Sequence, residues 1–170
     1  MLDGERYSAG MSANQVATLR LPAENDWPEI LKLADVAVED VPNAPHQVEW
    51  LEGRRCFEGV QRHFVAELRG TVVGYGAVER AADDPDGTYR LFVVTDWNTG
   101  LDIACLLYER AMDELANLGA RHAWLREYAS DEPLIDFVRR RGFEIREEYD
   151  YAGKTLVTLT KSLSNSDLAV

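Results

Sequence analysis

The sequence predicts a single mixed α/β domain, in which a mostly antiparallel sheet of about six to seven strands is flanked by about four helices. Three observations support this fold class. Apolar residues recur at every second position in some segments, as in strands, and at helical spacing in others. These segments follow in the order strand, two helices, three strands, helix, strand, helix and two strands. The chain of 170 residues is 46% hydrophobic, which is enough to fill one compact core.

The first part of the chain predicts one strand and two helices. Residues 16–21 alternate in polarity and stop before a proline, which indicates a strand. Asp26 stands where a helix N-cap is expected, and apolar residues continue at helical spacing over 27–38. After a loop that contains two prolines, apolar residues from Val48 towards Phe57 indicate a second helix whose end is poorly defined.

A hairpin and one further strand are predicted in the middle of the chain. Alternation with period two runs over 63–78 and is interrupted by an Arg-Gly turn at 69–70. Gly74 and Gly76 weaken a strand interior, so they indicate a bulge or the close approach of another group. The β-branched and aromatic run at 89–94 predicts the next strand.

The C-terminal half predicts a helix, a strand, a second helix and an antiparallel pair. A turn-forming run precedes a long amphipathic helix over 101–118, which Gly119 ends. The remaining elements are a strand at 123–125, a helix from Pro133 that stops at Gly142, and closing strands at 143–151 and 154–161. A strand that feeds a helix and then another strand makes a right-handed crossover, so we expect parallel neighbours near the middle of the sheet.

The charge of the chain restricts its partners. There are 30 acidic and 18 basic residues, which gives a formal charge of −12. Such a charge repels nucleic-acid backbones and anionic lipid at long range, so we expect neither nucleic acid nor membrane as a partner. The same field would attract a cationic substrate such as an amine, although an acidic surface also serves solubility alone.

The ends of the chain and its cysteines give further expectations. Residues 1–15 are expected to be disordered and 162–170 to form a frayed tail, which leaves one domain over 16–161. No apolar run suits a secretory signal or a membrane span, so a cytoplasmic location is expected.

Cys56 and Cys105 lie far apart and without metal-ligand spacing, so neither a disulfide framework nor a metal site is expected.

Two stretches in the C-terminal half resemble a known family. Residues 131–143 read Asp-Glu-Pro-Leu-Ile-Asp-Phe-Val-Arg-Arg-Arg-Gly-Phe. This segment looks like the penultimate helix of the GNAT superfamily of acyl-CoA-dependent N-acyltransferases, which often ends in a basic residue, a variable residue and Gly-Phe. The strand, loop and helix at 93–107 are similar to the element that binds the family's cofactor. Residues 16–78 match mainly by the order of their elements.

The resemblance implies acetyl-CoA as cosubstrate, with the pantetheine between splayed fourth and fifth strands and the pyrophosphate at the N-terminus of the following helix. Unpaired backbone N–H groups and the helix dipole favour an anion there. The cofactor-binding residues implied in this way are Phe92, Val93, Val94, Asn98, Thr99, Gly100, Leu101, Asp102 and Ile103.

The phosphate loop departs from the family's pattern. Asn98 replaces the usual arginine or glutamine, and Gly100 is its only glycine. Leu101 and Ile103 stand where the family has glycine or a small residue, and their side chains would narrow the approach of a pyrophosphate. Asp102 adds a carboxylate that repels phosphate. A site that relies on backbone donors and a simple helix cap both remain compatible with this sequence.

The catalytic positions also depart from the pattern. The family often uses a glutamate on the fourth strand and a tyrosine in the penultimate helix, and the resemblance places Tyr89 and Val138 there. From spacing, Glu79 or Glu127 could act as base, and Tyr128 or Tyr89 could give a proton. The alternative for each is a solvated or rim residue, which is what a Glu or Tyr at a strand end usually is. The three histidines lie apart from one another and are expected to be surface or structural residues and not catalytic ones.

Two functions therefore remain open. The first is an N-acetyltransferase that moves an acetyl group from acetyl-CoA to a primary amine of a small molecule or peptide. The second is a catalytically degenerate GNAT-like module for binding or regulation, which the altered loop and the missing tyrosine would allow. Under either function the C-terminal strands could form a homodimer, although nothing in the sequence requires one.

Overall fold

The computed structural model describes residues 17–39, 57–95 and 101–164. The predicted N-terminal segment, most of the second predicted helix and the loop residues Asn98, Thr99 and Gly100 lie outside these ranges, as does the end of the predicted tail. The elements in chain order are β1 (Thr18–Arg20), α1 (Trp27–Glu39), β2 (Gly59–Leu68), β3 (Thr71–Ala81), β4 (Thr88–Thr95), α2 (Leu101–Asn117), β5 (His122–Tyr128), α3 (Glu132–Arg139), β6 (Glu144–Tyr151) and β7 (Lys154–Ser162).

The strands form one seven-stranded sheet in the order β1-β2-β3-β4-β5-β7-β6. All neighbours are antiparallel except β4 and β5, which are parallel, as the crossover through α2 predicts. This confirms the predicted fold class. Three α-helices flank the sheet within the described residues, against about four expected from the sequence pattern. The fourth is the helix predicted from Val48, most of which lies outside those ranges.

The parallel pair β4–β5 separates after a short ladder. Only Thr88, Tyr89 and Arg90 of β4 pair with residues of β5, and the last of these pairs joins Arg90 to Trp124. β4 nevertheless continues to Thr95, and β5 continues beyond Trp124 without pairing to it. The two strands therefore leave a gap at their C-terminal ends, in the middle of the sheet.

Each face of the sheet carries its own apolar core. On one face, α2 and α3 bury a large cluster that includes Leu107, Val138 and Leu159. On the other face, α1 packs on β3 and β4 through a smaller cluster that includes Trp27 and Tyr75. Within the described residues, no helix lines this second face over β5 and β7, where a concave surface remains open.

The two glycines of β3 allow close approach, as the sequence predicts. A Cβ atom at Gly74 would lie 2.7 Å from Leu107 Cδ1, so the glycine lets α2 approach the sheet. A Cβ atom at Gly76 would lie 2.4 Å from the Phe64 ring, which covers that glycine. The predicted bulge is present as well, because the β2–β3 register shifts after the pair between Ala66 and Gly74.

Some local predictions need correction. Asp26 is not the N-cap of α1, because it lies in a 3-10 turn that precedes the helix. Its carboxylate instead accepts hydrogen bonds from the Arg20 guanidinium, at 2.6 and 2.8 Å, and from the Ala23 N–H at 2.6 Å. The bidentate charged partner holds the carboxylate more strongly than a helix N–H would. β5 is also longer than predicted, because all seven of its residues pair with β7.

Candidate functional site

A narrow cleft lies where β4 and β5 separate. Its walls are mostly apolar, with one tyrosine and two charged residues among them. The lining residues are Leu91, Phe92 and Val93 of β4, Tyr108 of α2, Leu125, Arg126 and Glu127 of β5, and Leu134, Phe137 and Val138 of α3. An apolar cleft with a few convergent polar groups is the usual form of a small-molecule site.

The β4 wall presents its residues to both faces of the sheet. Phe92 and Val94 place their side chains in the core under α1, whereas Val93 packs against the core under α2. This follows from the alternation of side chains along a strand. Of the three predicted cofactor-binding residues on β4, Phe92 and Val93 line the cleft.

The first turn of α2 is formed by Leu101, Asp102 and Ile103. Ile103 is buried, and its Cγ2 atom would lie 2.9 Å from a Cβ atom at Gly74. This side chain therefore points towards β3, and does not narrow the approach to the helix N-terminus as the sequence suggested. Asp102 is exposed. The first N–H groups of the helix have no partner within the helix, so they can donate to an anion.

The cleft brings together only part of the predicted catalytic set. Among residues 17–39, 57–95 and 101–164, its lining includes Glu127 but not Glu79, Tyr89 or Tyr128. Glu127 is buried, with 9% of its surface exposed, and its Oε1 accepts the Tyr128 N–H at 2.9 Å. A carboxylate that lines a cleft is a candidate proton acceptor, because a general base must lie within hydrogen-bond reach of the proton that it removes.

The other three candidates lie on β3, β4 and β5, outside the lining of the cleft. Glu79 is buried beside Gln61, whose Nε2 donates to Glu79 Oε2 at 3.4 Å. Tyr89 packs in the core under α2, with the Arg80 guanidinium 5.9 Å from its ring centre. Tyr128 ends β5, and Lys154 Nζ lies 5.2 Å from its ring centre.

Tyr128 keeps its proton over a wide pH range. Burial, and then the nearby charges of Glu127 and Tyr151, raise the pKa of the Tyr128 phenol above its ordinary value. The group is therefore a neutral hydrogen-bond donor at physiological pH.

Sequence reasoning missed Tyr108, which lines the cleft from α2. Its ring meets the Phe137 ring edge-on, with the centroids 5.8 Å apart, and the Arg141 guanidinium lies 5.2 Å from its centre. Arg141 also donates to Cys105 Sγ at 3.2 Å and to the Phe137 carbonyl at 3.0 Å, so it ties α3 to α2. Only the tertiary packing of two helices brings Tyr108 to the cleft, and the sequence carries no local sign of it.

Sequence reasoning also missed Arg126, although a signal was present. Residues 124–128 read Trp-Leu-Arg-Glu-Tyr, so strand alternation puts Trp124, Arg126 and Tyr128 on one face and Glu127 on the other. An arginine between two aromatic residues on one face of a strand is typical of a guanidinium held by ring contacts.

No group of three or more His, Cys, Asp or Glu side chains within the described part of the chain could hold a metal ion. Among the same residues, none of the helices has the length and apolar character needed to cross a bilayer.

Comparisons with known proteins agree with this geometry. The model of the acetyltransferase (GNAT) family matches residues 26–143. No curated protein sequence matches the chain.

Several solved structures share the fold. YncA from Salmonella typhimurium, solved with its cofactor acetyl-CoA, is 18% identical with a TM-score of 0.64, over 88% of this chain and 95% of that one. The ribosomal-protein-alanine N-acetyltransferase from Brucella melitensis is 23% identical with a TM-score of 0.64, over 86% and 99%. The PaiA N-acetyltransferase from Thermoplasma acidophilum, in complex with coenzyme A, is 11% identical with a TM-score of 0.65, over 86% and 99%.

Proposed function

Because the chain belongs to the GNAT family of acetyltransferases, we propose that it transfers the acetyl group of acetyl-CoA to a primary amine of a small molecule or a peptide. The observation that carries this proposal is the cleft between β4 and β5, at the place where the family resemblance puts the pantetheine. Two of the solved structures with this fold are named N-acetyltransferases, which supports nitrogen as the acceptor atom.

The residues present are compatible with acetyl-CoA. The cleft has apolar walls for an uncharged chain, including Leu91, Val93 and Leu125. The N-terminus of α2 offers backbone donors to a pyrophosphate, and the Ile103 side chain is turned away from it. When bound, acetyl-CoA supplies the activated acetyl thioester.

The chemistry requires two proton transfers. The amine nitrogen bonds to the thioester carbonyl carbon, the carbon–sulfur bond breaks, and an amide and the free thiol of CoA result. The attacking nitrogen must lose a proton, and Glu127 is the cleft carboxylate that can accept it. The departing thiolate must gain a proton. The position at which the family often has a proton-donating tyrosine holds Val138. Tyr108 is the tyrosine that lines the cleft, so it is the residue that can donate this proton.

The proposal is tested by incubating the protein with acetyl-CoA and a panel of primary amines while free thiol is measured. We expect turnover with at least one amine. Glu127→Gln should lower kcat/KM by about 100- to 10,000-fold, the range typical of a lost general base. Tyr108→Phe should lower kcat with little change in the affinity for acetyl-CoA. Glu109→Gln is the control, because Glu109 is exposed on α2.

Each alternative has its own outcome. Full activity in Glu127→Gln together with loss in Glu79→Gln would assign the base to Glu79. Saturable binding of acetyl-CoA without turnover of any amine would contradict the transferase and favour the degenerate binding or regulatory module.

A further inference from the structure

A second concave surface, of about 430 Å³, lies on the open face of the sheet beside the cleft. It is formed by β5 and β7 on the side that carries α1. Its polar lining consists of hydroxyl, imidazole and cationic groups, among them Arg126, Arg146, Thr158 and Thr160. No carboxylate belongs to this lining among the residues that the structure describes.

This surface is locally basic in a strongly acidic protein. Arg126 and Arg146 lie on it, whereas the whole chain has a formal charge of −12. Lys161 borders the surface, but its Nζ would lie 3.8 Å from a Cβ atom at Gly142, on the opposite face of the sheet. The Arg146 Nε donates to Thr160 Oγ1 at 3.2 Å, which holds this guanidinium against β7, and its Nη2 lies 4.0 Å from Glu144 Oε2. Arg126 is therefore the cation of this surface that has no carboxylate beside it among the described residues. Arg90 also lies next to the surface, with its guanidinium 4.8 Å from the Trp124 ring centre, and its cross-strand neighbour is the buried Glu79. Cations concentrated on one face attract an anionic group to that face.

Arg126 is held in place by uncharged partners. Its Nε donates to Thr158 Oγ1 at 3.3 Å, and its guanidinium carbon lies 5.6 Å from the Trp124 ring centre and 5.4 Å from that of Tyr149. None of these contacts uses the two terminal amino groups. Within the described residues, no carboxylate forms an ion pair with Arg126. The guanidinium is thus oriented, and its two terminal donors have the geometry that grips a carboxylate.

Arg126 also connects the two cavities, because it lines both the cleft and the concave surface. An anionic group bound by Arg126 would therefore lie at the mouth of the cleft, on the face opposite to α2 and α3. A small molecule anchored there can direct a second group, a few bonds away, into the cleft.

We propose that Arg126 binds an anionic group of the acceptor, so that the substrate is a small amine that also carries a carboxylate. An α-amino acid is the simplest molecule of this kind. This inference rests on the proposed transferase function and narrows its substrate class. The negative field of the whole protein favours the ammonium group of such a zwitterion, and the local arginines favour its carboxylate.

The test compares common L-amino acids with their amides, which keep the amine and the side chain but lack the carboxylate. Acetyl transfer from acetyl-CoA is measured for both series with the wild-type protein, Arg126→Ala and Arg126→Lys. We expect the acids to be preferred. Arg126→Ala should raise KM for the best acid by roughly 10- to 100-fold, as expected for a lost charge-assisted pair, with a smaller effect on kcat and on the amide. Arg126→Lys should restore part of the loss.

A binding measurement accompanies the kinetics. Calorimetric titration of the best acid into the protein with CoA present should show a weaker affinity for Arg126→Ala than for the control Arg62→Ala, which removes an exposed arginine of β2. Equal use of acids and amides by the wild-type protein, or equal losses for both in Arg126→Ala, overturns this inference and leaves the transferase proposal standing. The absence of transfer to any amine overturns both.

Discussion

Among single residues, Asp131 shows how burial and capping oppose each other in the loop that enters α3. Its Oδ1 accepts the Leu134 N–H at 3.2 Å, which satisfies one donor of the first helical turn. Burial raises the pKa of the Asp131 carboxyl above its ordinary value of 3.8, and this hydrogen bond only partly opposes the effect. The folded protein therefore holds this proton to a higher pH than the unfolded chain, so this group makes stability fall as the pH rises through that interval.

Asp131→Asn should stabilise the protein at neutral pH. Asparagine keeps an acceptor oxygen for Leu134 and caps as well as aspartate, but it has no charge to desolvate. We expect the free energy of unfolding at pH 7 to increase by about 0.5–1 kcal/mol, and the difference from wild type to vanish only as the pH falls below 3.8, where both states of the wild type are protonated. Urea unfolding across this range measures it, with exposed Asp136→Asn as the control. A less stable Asp131→Asn at pH 7 would mean that the ionised cap stabilises α3.

At the residue scale, the sequence predicts the site only in part. Glu127 follows from its position at the end of a strand, and it does lie in the cleft. Tyr108 could not be predicted in this way, because it reaches the cleft only through the packing of α2 against α3. Arg126 was visible as part of an alternating pattern, but its significance depends on ring contacts that span β5 and β6.

At the element scale, periodicity predicts the existence of strands and helices better than it predicts their ends. The hairpin of β2 and β3 follows from alternation, yet β2 begins at Gly59, four residues before the pattern becomes visible. The early residues form a strand because β3 supplies partners for them, including the pair between Gly59 and Ala81. Long-range pairing of this kind has no local signal.

The approach of α2 to β3 links one element to the proposed function. Because Gly74 lies under Leu107 and Ile103, this contact sets how close the N-terminus of α2 comes to the sheet. Gly74→Ala should displace the helix, whereas Gly76→Ala should displace the Phe64 ring instead. Both variants should lose about 1–3 kcal/mol of stability through overpacking, measured by urea unfolding.

Their affinities for acetyl-CoA should differ, which makes Gly76→Ala the matched control. Gly74→Ala should bind acetyl-CoA several-fold more weakly than Gly76→Ala in calorimetric titrations. Equal affinities of the two variants would show that the close approach of α2 to β3 does not position the cofactor site.

At the scale of the whole molecule, the acidic charge is unevenly distributed. The edge strand β6 exposes Glu144, Glu147, Glu148 and Asp150, whereas the concave surface on β5 and β7 is basic. Like charges on an edge strand oppose the pairing of that edge with a second copy of itself. The homodimer that the sequence allowed through its C-terminal strands is therefore disfavoured at the β6 edge.

The fold class was predictable, because the described strands and helices follow one another in the order that their patterns predict. The proposed function was less predictable, because it depends on a gap between two strands and on side chains from four separate elements. Fold alone does not establish which chemistry a cleft performs.

Calorimetric titration of the purified protein with acetyl-CoA tests directly whether the cleft and the N-terminus of α2 bind this cosubstrate, since it needs no knowledge of the acceptor. We expect saturable binding at one site per chain, with a Kd of about 1 mM or lower, as is usual for enzyme substrates. The absence of saturable binding up to millimolar acetyl-CoA would contradict the assignment of the cleft and of the α2 N-terminus as its site.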